Sequence, residues 1–494
     1  MPDFLFALLD DIMTAMKKND YILPHQKDAA KRTKTTEYDS FVLNPSLTSI
    51  GNGKKYCLKT YGCQANVRDG ETLAGMLECM GYQPVEDYEQ ADLILFNTCA
   101  VRRAAEEHVL GEVGSLKPMK KEHPEKIIGI CGCMAQEDAV VEEILTTYPQ
   151  VDLIFGTHNI YRFPDLLAKC RNDGQKVVEV FSEEGRVIEN MPVVRSQSCK
   201  GFVNIMYGCN KFCTYCIVPY TRGKERSRKK EDILKEVLAL KESGRKEVVL
   251  LGQNVNAYGK DLGMEDGFTE LLEACGETGI ERIRFYTSHP RDYSVSTIDA
   301  MKKYPNIMKS LHLPVQSGSD EVLRRMARGY TRDSYLTLVD EMRKRIPDIT
   351  FTTDLIVGFP GETDEQFEET LSLVDAVRFD SAFTFVYSPR SGTPAANMAD
   401  DTPMEVKKAR LQELNAHITK WARANNEPYQ DKVVKVLCEG RSRKREDMYS
   451  GYSEENKLVN FSGPQGLENS IVDVKITEVH SFSLNGKALS EEDL

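Results

Sequence analysis

The strongest constraint on this chain is a regular exchange of short apolar runs and amphipathic helix-like segments that starts near Lys54 and lasts to about Asn425. In its first part, apolar runs at 55–61, 92–96, 126–131 and 151–155 are separated by helical patterns such as 70–80 and 102–110. Strands that alternate with helices pair in parallel and bury both faces, so 54–170 is predicted to be a parallel α/β domain. A linker is expected over 171–198. From 199 to 425 the exchange is more regular, with strands predicted at 202–206, 247–251, 282–287, 310–315, 350–357 and 381–387. Six consecutive βα units predict a partial (β/α)6 barrel, a form whose ligands collect at the C-terminal ends of the strands. After residue 425 the helical period stops. Runs at 432–438, 457–461 and 471–479, parted by Gly, Ser and Asn, predict a small C-terminal β-barrel over 426–494.

The first 53 residues break this pattern. They are polar and aperiodic after one amphipathic stretch at 4–16, and read as a flexible leader. The apolar run at 4–9 is far shorter than the ~20 residues of a membrane span. It is flanked by Asp3, Asp10 and Asp11 rather than by a basic front, so no secretory signal is expected and the location is expected to be cytoplasmic. In that reducing compartment, 13 cysteines point to metal or catalytic chemistry rather than disulfides.

Cys209, Cys213 and Cys216 form a CxxxCxxC triplet just after the first strand of the predicted barrel. Three thiolates there suit a [4Fe–4S] cluster with one iron left open. A structural zinc with a distant fourth ligand is the alternative. Cys63, Cys99 and Cys133 have no short spacing, but each stands just past a predicted strand of the first domain. In a parallel sheet such loops lie along one edge, where Gly62 and Gly132 let backbone approach a bulky group. The alternative is three small buried hydrophobes. Cys57 and Cys131, inside strand text, read as core.

CxxxCxxC after the first strand of a six-unit barrel resembles the radical S-adenosylmethionine (SAM) superfamily. The phrases Tyr61-Gly-Cys-Gln-Ala-Asn66, Asn97-Thr-Cys-Ala-Val-Arg102 and Gly132-Cys-Met-Ala-Gln136 resemble the N-terminal domain of methylthiotransferases. Within that family they are similar to the branch acting on N6-isopentenyladenosine at position 37 of tRNA, apart from Ala65, where that branch usually has Met. The resemblance implies two [4Fe–4S] clusters, one on each cysteine trio, with SAM on the open iron of the Cys209 trio. It implies a 5′-deoxyadenosyl radical that activates adenine C2, and delivery of –SCH3 from the auxiliary cluster on Cys63, Cys99 and Cys133. By strand count, Gln253, Gln316, Ser317 and Asp354 are expected around SAM. The C-terminal segment resembles TRAM, an RNA-binding barrel. Partners implied are the tRNA anticodon stem-loop, an electron donor and a sulfur source, for a chain that acts as a monomer.

A formal charge of −12 excludes a general polyanion coat but not local patches. Arg222, Lys224, Arg226 and Arg228 lie in one basic run, and Arg441, Arg443, Lys444 and Arg445 in a loop of the C-terminal barrel. Both are expected to contact RNA. Three other readings stay open: methylthiolation of a ribosomal-protein aspartate or of threonylcarbamoyladenosine in tRNA, a non-catalytic iron–sulfur RNA-binding protein, and unrelated radical SAM chemistry.

Overall fold

The computed structural model describes residues 36–100, 103–181, 186–443 and 445–489. They form two compact units. One takes residues up to 196 with 207–212 and 216–226; the other takes 197–206, 213–215 and 227 onward.

In the first unit, β1 (Tyr38–Ser40) precedes a parallel sheet of β2 (Lys55–Thr60), β3 (Gln83–Pro84), β4 (Leu93–Thr98), β5 (Ile127–Gly132), β6 (Leu153–Phe155) and β7 (Val177–Glu179). Their spatial order is β3-β2-β4-β5-β6-β7. β4 is buried at every position, as a central parallel strand covered on both faces must be. The connecting helices are α1 (Gln64–Cys79), α2 (Arg103–Ser115), α3 (Asp138–Thr147) and α4 (Phe163–Asp173). Leu73, Met76 and Leu77 of α1 share a core with Phe163, Leu166 and Leu167 of α4. Val109 and Val113 of α2 pack with Val141 and Ile144 of α3 in a second core. The chain runs outward from β2 to β3 and then crosses back to β4. α1 and α2 pack into separate cores on the two faces of the sheet, so a crevice opens at the carboxyl ends of β2 and β4. That reversal is where such sheets bind ligands.

Two expected boundaries are corrected here. The leader does not extend to residue 53, because Leu47 is buried in the α1–α4 core, Phe41, Leu43 and Ile50 pack against it, and β1 pairs in parallel with β8 (Val187–Glu189). The expected linker over 171–198 supplies edge strand β7 and then β8. These short strands are defined by distant partners and carry no local period. The helix expected at 4–16 lies outside the described residues.

The second unit contains the expected six parallel strands: β9 (Lys200–Asn204), β10 (Glu247–Leu251), β11 (Arg282–Phe285), β12 (Ser310–His312), β13 (Thr350–Val357) and β14 (Ser381–Val386). They neighbour one another in chain order, with β11 joined to the β12 segment by a parallel bridge, Ile283 to Ile307. Along β13, Phe351, Thr353, Leu355 and Val357 are buried while Thr352, Asp354 and Ile356 are half-buried. Phe351, Leu355 and Val357 join the core with the surrounding helices, so strand alternation turns Thr352, Asp354 and Ile356 to the inner face.

A long helix, α5 (Met404–Asn426), leads into the C-terminal barrel. β15 (Val433–Arg441), β16 (Tyr449–Ser453), β17 (Leu458–Ser462), β18 (Ile471–Val479) and β19 (Leu484–Ala488) close in the order β15-β16-β17-β19-β18. β16 and β19 were not anticipated, because each carries a glycine that reads locally as a turn. A Cβ on Gly451 would lie 2.0 Å from Leu437 O, and one on Gly486 2.5 Å from Lys475 O, so close strand approach demands glycine there.

This small barrel covers the N-terminal ends of the parallel strands. Arg282 donates to Tyr452 O (2.8 Å) and Lys435 O (2.9 Å). Arg284 donates to Ser453 O (2.6 Å) and pairs with Glu247 (3.1 Å). Lys457 pairs with Asp380 (2.5 Å). The opposite, C-terminal ends of the strands are left to the connecting loops.

Candidate metal centres and active face

In the first unit the sheet brings Cys63, Cys99 and Cys133 to the crevice at its strand reversal. Cys63 follows β2 and is the N-cap of α1. Cys99 follows β4. Gly62, at φ 120°, lies so close to it that an added Cβ would be 2.5 Å from Cys99 Cβ. Gly132, at φ 95°, allows the same approach before Cys133, where a Cβ would meet Thr98 O at 2.5 Å. The two glycines are therefore needed for closeness as well as for backbone sign.

Asn66 joins two of the thiols and the loop that carries the third. Its Oδ1 accepts from Cys63 Sγ at 3.6 Å and Cys133 Sγ at 3.8 Å, and its Nδ2 donates to Tyr61 O (3.1 Å) and Thr98 O (2.6 Å). The Cys133 thiol is pushed up to about 12, chiefly by burial, with Arg222 opposing the rise and Cys99 and Cys63 adding to it. Three soft thiols from three loops, with backbone held back by glycine, form a donor set that fits an iron–sulfur cluster, in which each iron takes its own thiolate.

Arg222 completes this region. Its Nε donates to Cys133 Sγ at 3.1 Å, and its Nη2 reaches Asn66 Oδ1 at 3.0 Å and Asp69 Oδ2 at 2.7 Å. Its place in a basic run makes Arg222 an expected RNA contact. The structure instead buries it and neutralises it with Asp69. Lys224, Arg226 and Arg228 are buried too, and Arg228 pairs with Glu236 at 2.7 Å. This run of cations therefore belongs to the interior rather than to a phosphate-facing surface. A charge run in the sequence does not reveal which carboxylates the fold brings to it. In the C-terminal barrel Arg441, Arg443 and Arg445 are exposed, with Arg441 near Glu468 (3.7 Å) and Arg445 paired to Asp447 (3.0 Å). Lys444 lies outside the described residues.

Of the second trio, Cys209 and Cys216 are half-buried and Cys213 is buried. In the first unit Gly208, at φ 75°, passes so near Lys224 O that a Cβ would be 1.9 Å from it. Cys209 N donates to Gly223 O at 3.0 Å. In the second unit Thr214 is bonded through its N to Met326 O (3.0 Å) and through its Oγ1 to Arg325 O (2.8 Å). There, Arg328 Nη1 donates to Cys213 Sγ at 3.2 Å.

The C-terminal rim of the six strands carries backbone strain. Thr287, beyond β11, has φ 69°, and Gln316, beyond β12, has φ 76°. Non-glycine residues rarely adopt such angles, least of all a β-branched threonine, and functional sites are where they cluster. Gln316 is held there by its own backbone, N to Asp354 O (2.9 Å) and O from Ile356 N (3.0 Å). Gln253 is half-buried on the β10 loop. Asp354 faces inward, 3.5 Å from His312 Nε2. Ser317 differs: fully buried, its hydroxyl accepts from Ser319 N (3.2 Å) and lies 3.3 Å from Thr370 Oγ1, so it shapes the loop.

Asn254, Asn256 and Ser288 carry no distinguishing signal in the sequence. They are buried on the loops after β10 and β11. Asn256 Nδ2 and Oδ1, Asn254 Oδ1 and Ser288 Oγ make no hydrogen bond among the described residues. Buried polar atoms left unpaired are costly, and at this rim they suit a polar ligand. Phe383 was also missed. It aligns with Asp354 across β13 and β14, stands 55% exposed and meets the His312 ring edge-on at 6.2 Å. Among the described residues no helix is long and apolar enough to cross a membrane.

Comparison with known proteins places these features in families. The radical SAM superfamily matches residues 203–374, the uncharacterized protein family UPF0004 residues 55–156, and the TRAM domain residues 428–489. A protein of Anoxybacillus flavithermus named tRNA-2-methylthio-N(6)-dimethylallyladenosine synthase is 52% identical over 474 residues, spanning 95% of this chain and 90% of that protein. A Bacillus subtilis protein of the same name is 52% identical over 95% of this chain and 93% of its own. Among solved structures, the radical SAM methyltransferase TsrM of Kitasatospora setae, with tryptophan and a SAM analogue bound, is similar in fold. It has a TM-score of 0.50 at 14% identity, covering 69% of this chain and 75% of that one.

Proposed function

The chain belongs to the family of tRNA-2-methylthio-N(6)-dimethylallyladenosine synthases, and from that membership we propose how its own residues divide the work. It is a radical SAM methylthiotransferase that adds a methylthio group to C2 of N6-dimethylallyladenosine in tRNA, using SAM and a [4Fe–4S] cluster. In our reading there are two clusters. Cys209, Cys213 and Cys216 hold the one that binds SAM, and Cys63, Cys99 and Cys133 hold the auxiliary one. When bound, these groups supply one-electron cleavage of SAM to a 5′-deoxyadenosyl radical and the sulfur to be transferred. The observation that carries the auxiliary assignment is the convergence of three cysteine loops, with Asn66 between two of the thiols, at the sheet's ligand-binding edge.

The chain's other residues position and exclude. Gln253, Gln316 and Asp354, with Asn254, Asn256 and Ser288, offer polar groups to SAM at the barrel rim. The strained loops at Thr287 and Gln316 hold that rim in one conformation. The adenine must leave its stack to expose C2, and Phe383 offers a flat apolar surface for it. Phe383→Ala is expected to weaken stem-loop binding about tenfold, since a base–aromatic stack contributes ~1–3 kcal/mol. Unchanged affinity in a fluorescence titration would remove Phe383 from the base site. Exposed Arg441, Arg443 and Arg445 give the C-terminal barrel its phosphate contacts. An electron donor and a sulfur source are required co-reactants, and the chain works as a cytoplasmic monomer.

The deciding experiment counts iron and sulfide and follows products. Wild type is expected to carry two [4Fe–4S] clusters. Changing Cys209, Cys213 and Cys216 together to Ala should leave one cluster and abolish 5′-deoxyadenosine. Changing Cys63, Cys99 and Cys133 should also leave one cluster, keep SAM cleavage and lose the methylthio product. Two clusters surviving either change would sink the ligand assignment.

A further inference from the structure

Arg328 is an unusual cation. It is buried, and its donors go to Cys213 Sγ (Nη1, 3.2 Å), Pro314 O (Nη2, 2.8 Å) and Tyr330 OH (Nε, 3.0 Å). Its guanidinium lies over the Tyr330 ring, 5.3 Å from the centroid. No carboxylate pairs with it among the described residues. A buried guanidinium without an anion is strongly disfavoured, so the fold must gain something by keeping it. The backbone reinforces the point. Ala327 and Gly329, on either side of it, have φ 56° and φ 70°, and an alanine in the left-handed region is strained.

Arg222 makes the matching contact in the other unit, Nε to Cys133 Sγ at 3.1 Å, but its Nη2 is neutralised by Asp69 at 2.7 Å. One arginine thus brings a donor and a full positive charge to its thiol. The other brings a donor and almost no net charge.

We propose that this difference sets the two clusters' reduction potentials apart: the unpaired charge of Arg328 makes the Cys209–Cys213–Cys216 cluster the easier to reduce, while Asp69 cancels the same effect of Arg222 at the auxiliary cluster. The proposal rests on the cluster assignment above. Net charge and hydrogen bonds to sulfur are the levers by which a protein moves a cluster's potential, and a nearby cation favours the state with one more electron. A single electron from a low-potential donor then resides where SAM is cleaved and not where sulfur is held. No bond is made or broken in this step. Arg328 and Asp69 act through the thiols and are positioning residues.

The test is a redox titration of the reconstituted full-length protein followed by electron paramagnetic resonance. The signal that changes when SAM is added identifies the SAM-binding cluster. Arg328→Gln is expected to keep iron and sulfide but move the midpoint of that signal to more negative potential, with Arg328→Lys recovering most of the shift. Asp69→Asn should move the SAM-insensitive signal to more positive potential. An iron-replete Arg328→Gln protein with an unchanged midpoint overturns the proposal. If that variant does not retain iron, Asp69→Asn decides: a positive shift supports the proposal and no shift overturns it. Failure of the underlying assignment looks different, as both clusters would then survive replacement of Cys209, Cys213 and Cys216.

Discussion

Arg222 and Arg328 both bury a guanidinium against a cysteine sulfur, at 3.1 Å and 3.2 Å, and they differ by one carboxylate. Asp69 stands 2.7 Å from Arg222, whereas Arg328 has neutral carbonyl and hydroxyl oxygens and a thiol around it. In the chain by itself, the first site is a closed ion pair and the second an open charge. The lesson is that thiols alike in sequence are prepared differently by the fold. One is given a neutral hydrogen-bonding shell, and the other a guanidinium that keeps its charge among neutral groups.

The largest difference between the two sites is expected in the stability of the cluster-free chain. Asp69→Ala removes one partner of a buried pair, which typically costs about 3 kcal/mol because the other charge is stranded. Arg328→Met removes a buried charge that has no counter-ion among the described residues, and is expected to be neutral or to stabilise the chain by up to about 2 kcal/mol. Urea unfolding of the two variants beside the unaltered protein measures this. Equal losses would erase the distinction between the sites.

A smaller effect compares these buried arginines with the exposed ones. Arg441→Gln and Arg443→Gln should each lower the salt dependence of stem-loop binding by about one counter-ion in log–log slope. Arg228→Gln should leave the slope unaltered, because Arg228 is buried and pairs with Glu236. A slope that falls for Arg228→Gln would return the 222–228 run to the RNA face.

Much of the architecture was legible in the residue order. All six strands of the partial barrel were anticipated, since each is a run with helical text on either side, and local periodicity suffices to find it. The cysteine loops after β2, β4 and β5 were also legible, from their position past apolar runs. What escaped was defined by partners far along the chain. β1 and β8 exist because they pair with each other. β16 and β19 hide their strand character behind Gly451 and Gly486, whose purpose is the closeness of the neighbouring backbone. Asn256 and Ser288 declare themselves only through atoms left unpaired after folding.

The order of modules was already written along the chain, because strand–helix alternation is a local property. Only the tertiary structure decided what the charges do. It turned Arg222, Lys224, Arg226 and Arg228 inward, brought Asp69 to one guanidinium and, among the described residues, no carboxylate to the other. The physical reason is that an ion's effect depends on its distance from other charges and on how little water surrounds it, and neither is written in the neighbours it has along the chain.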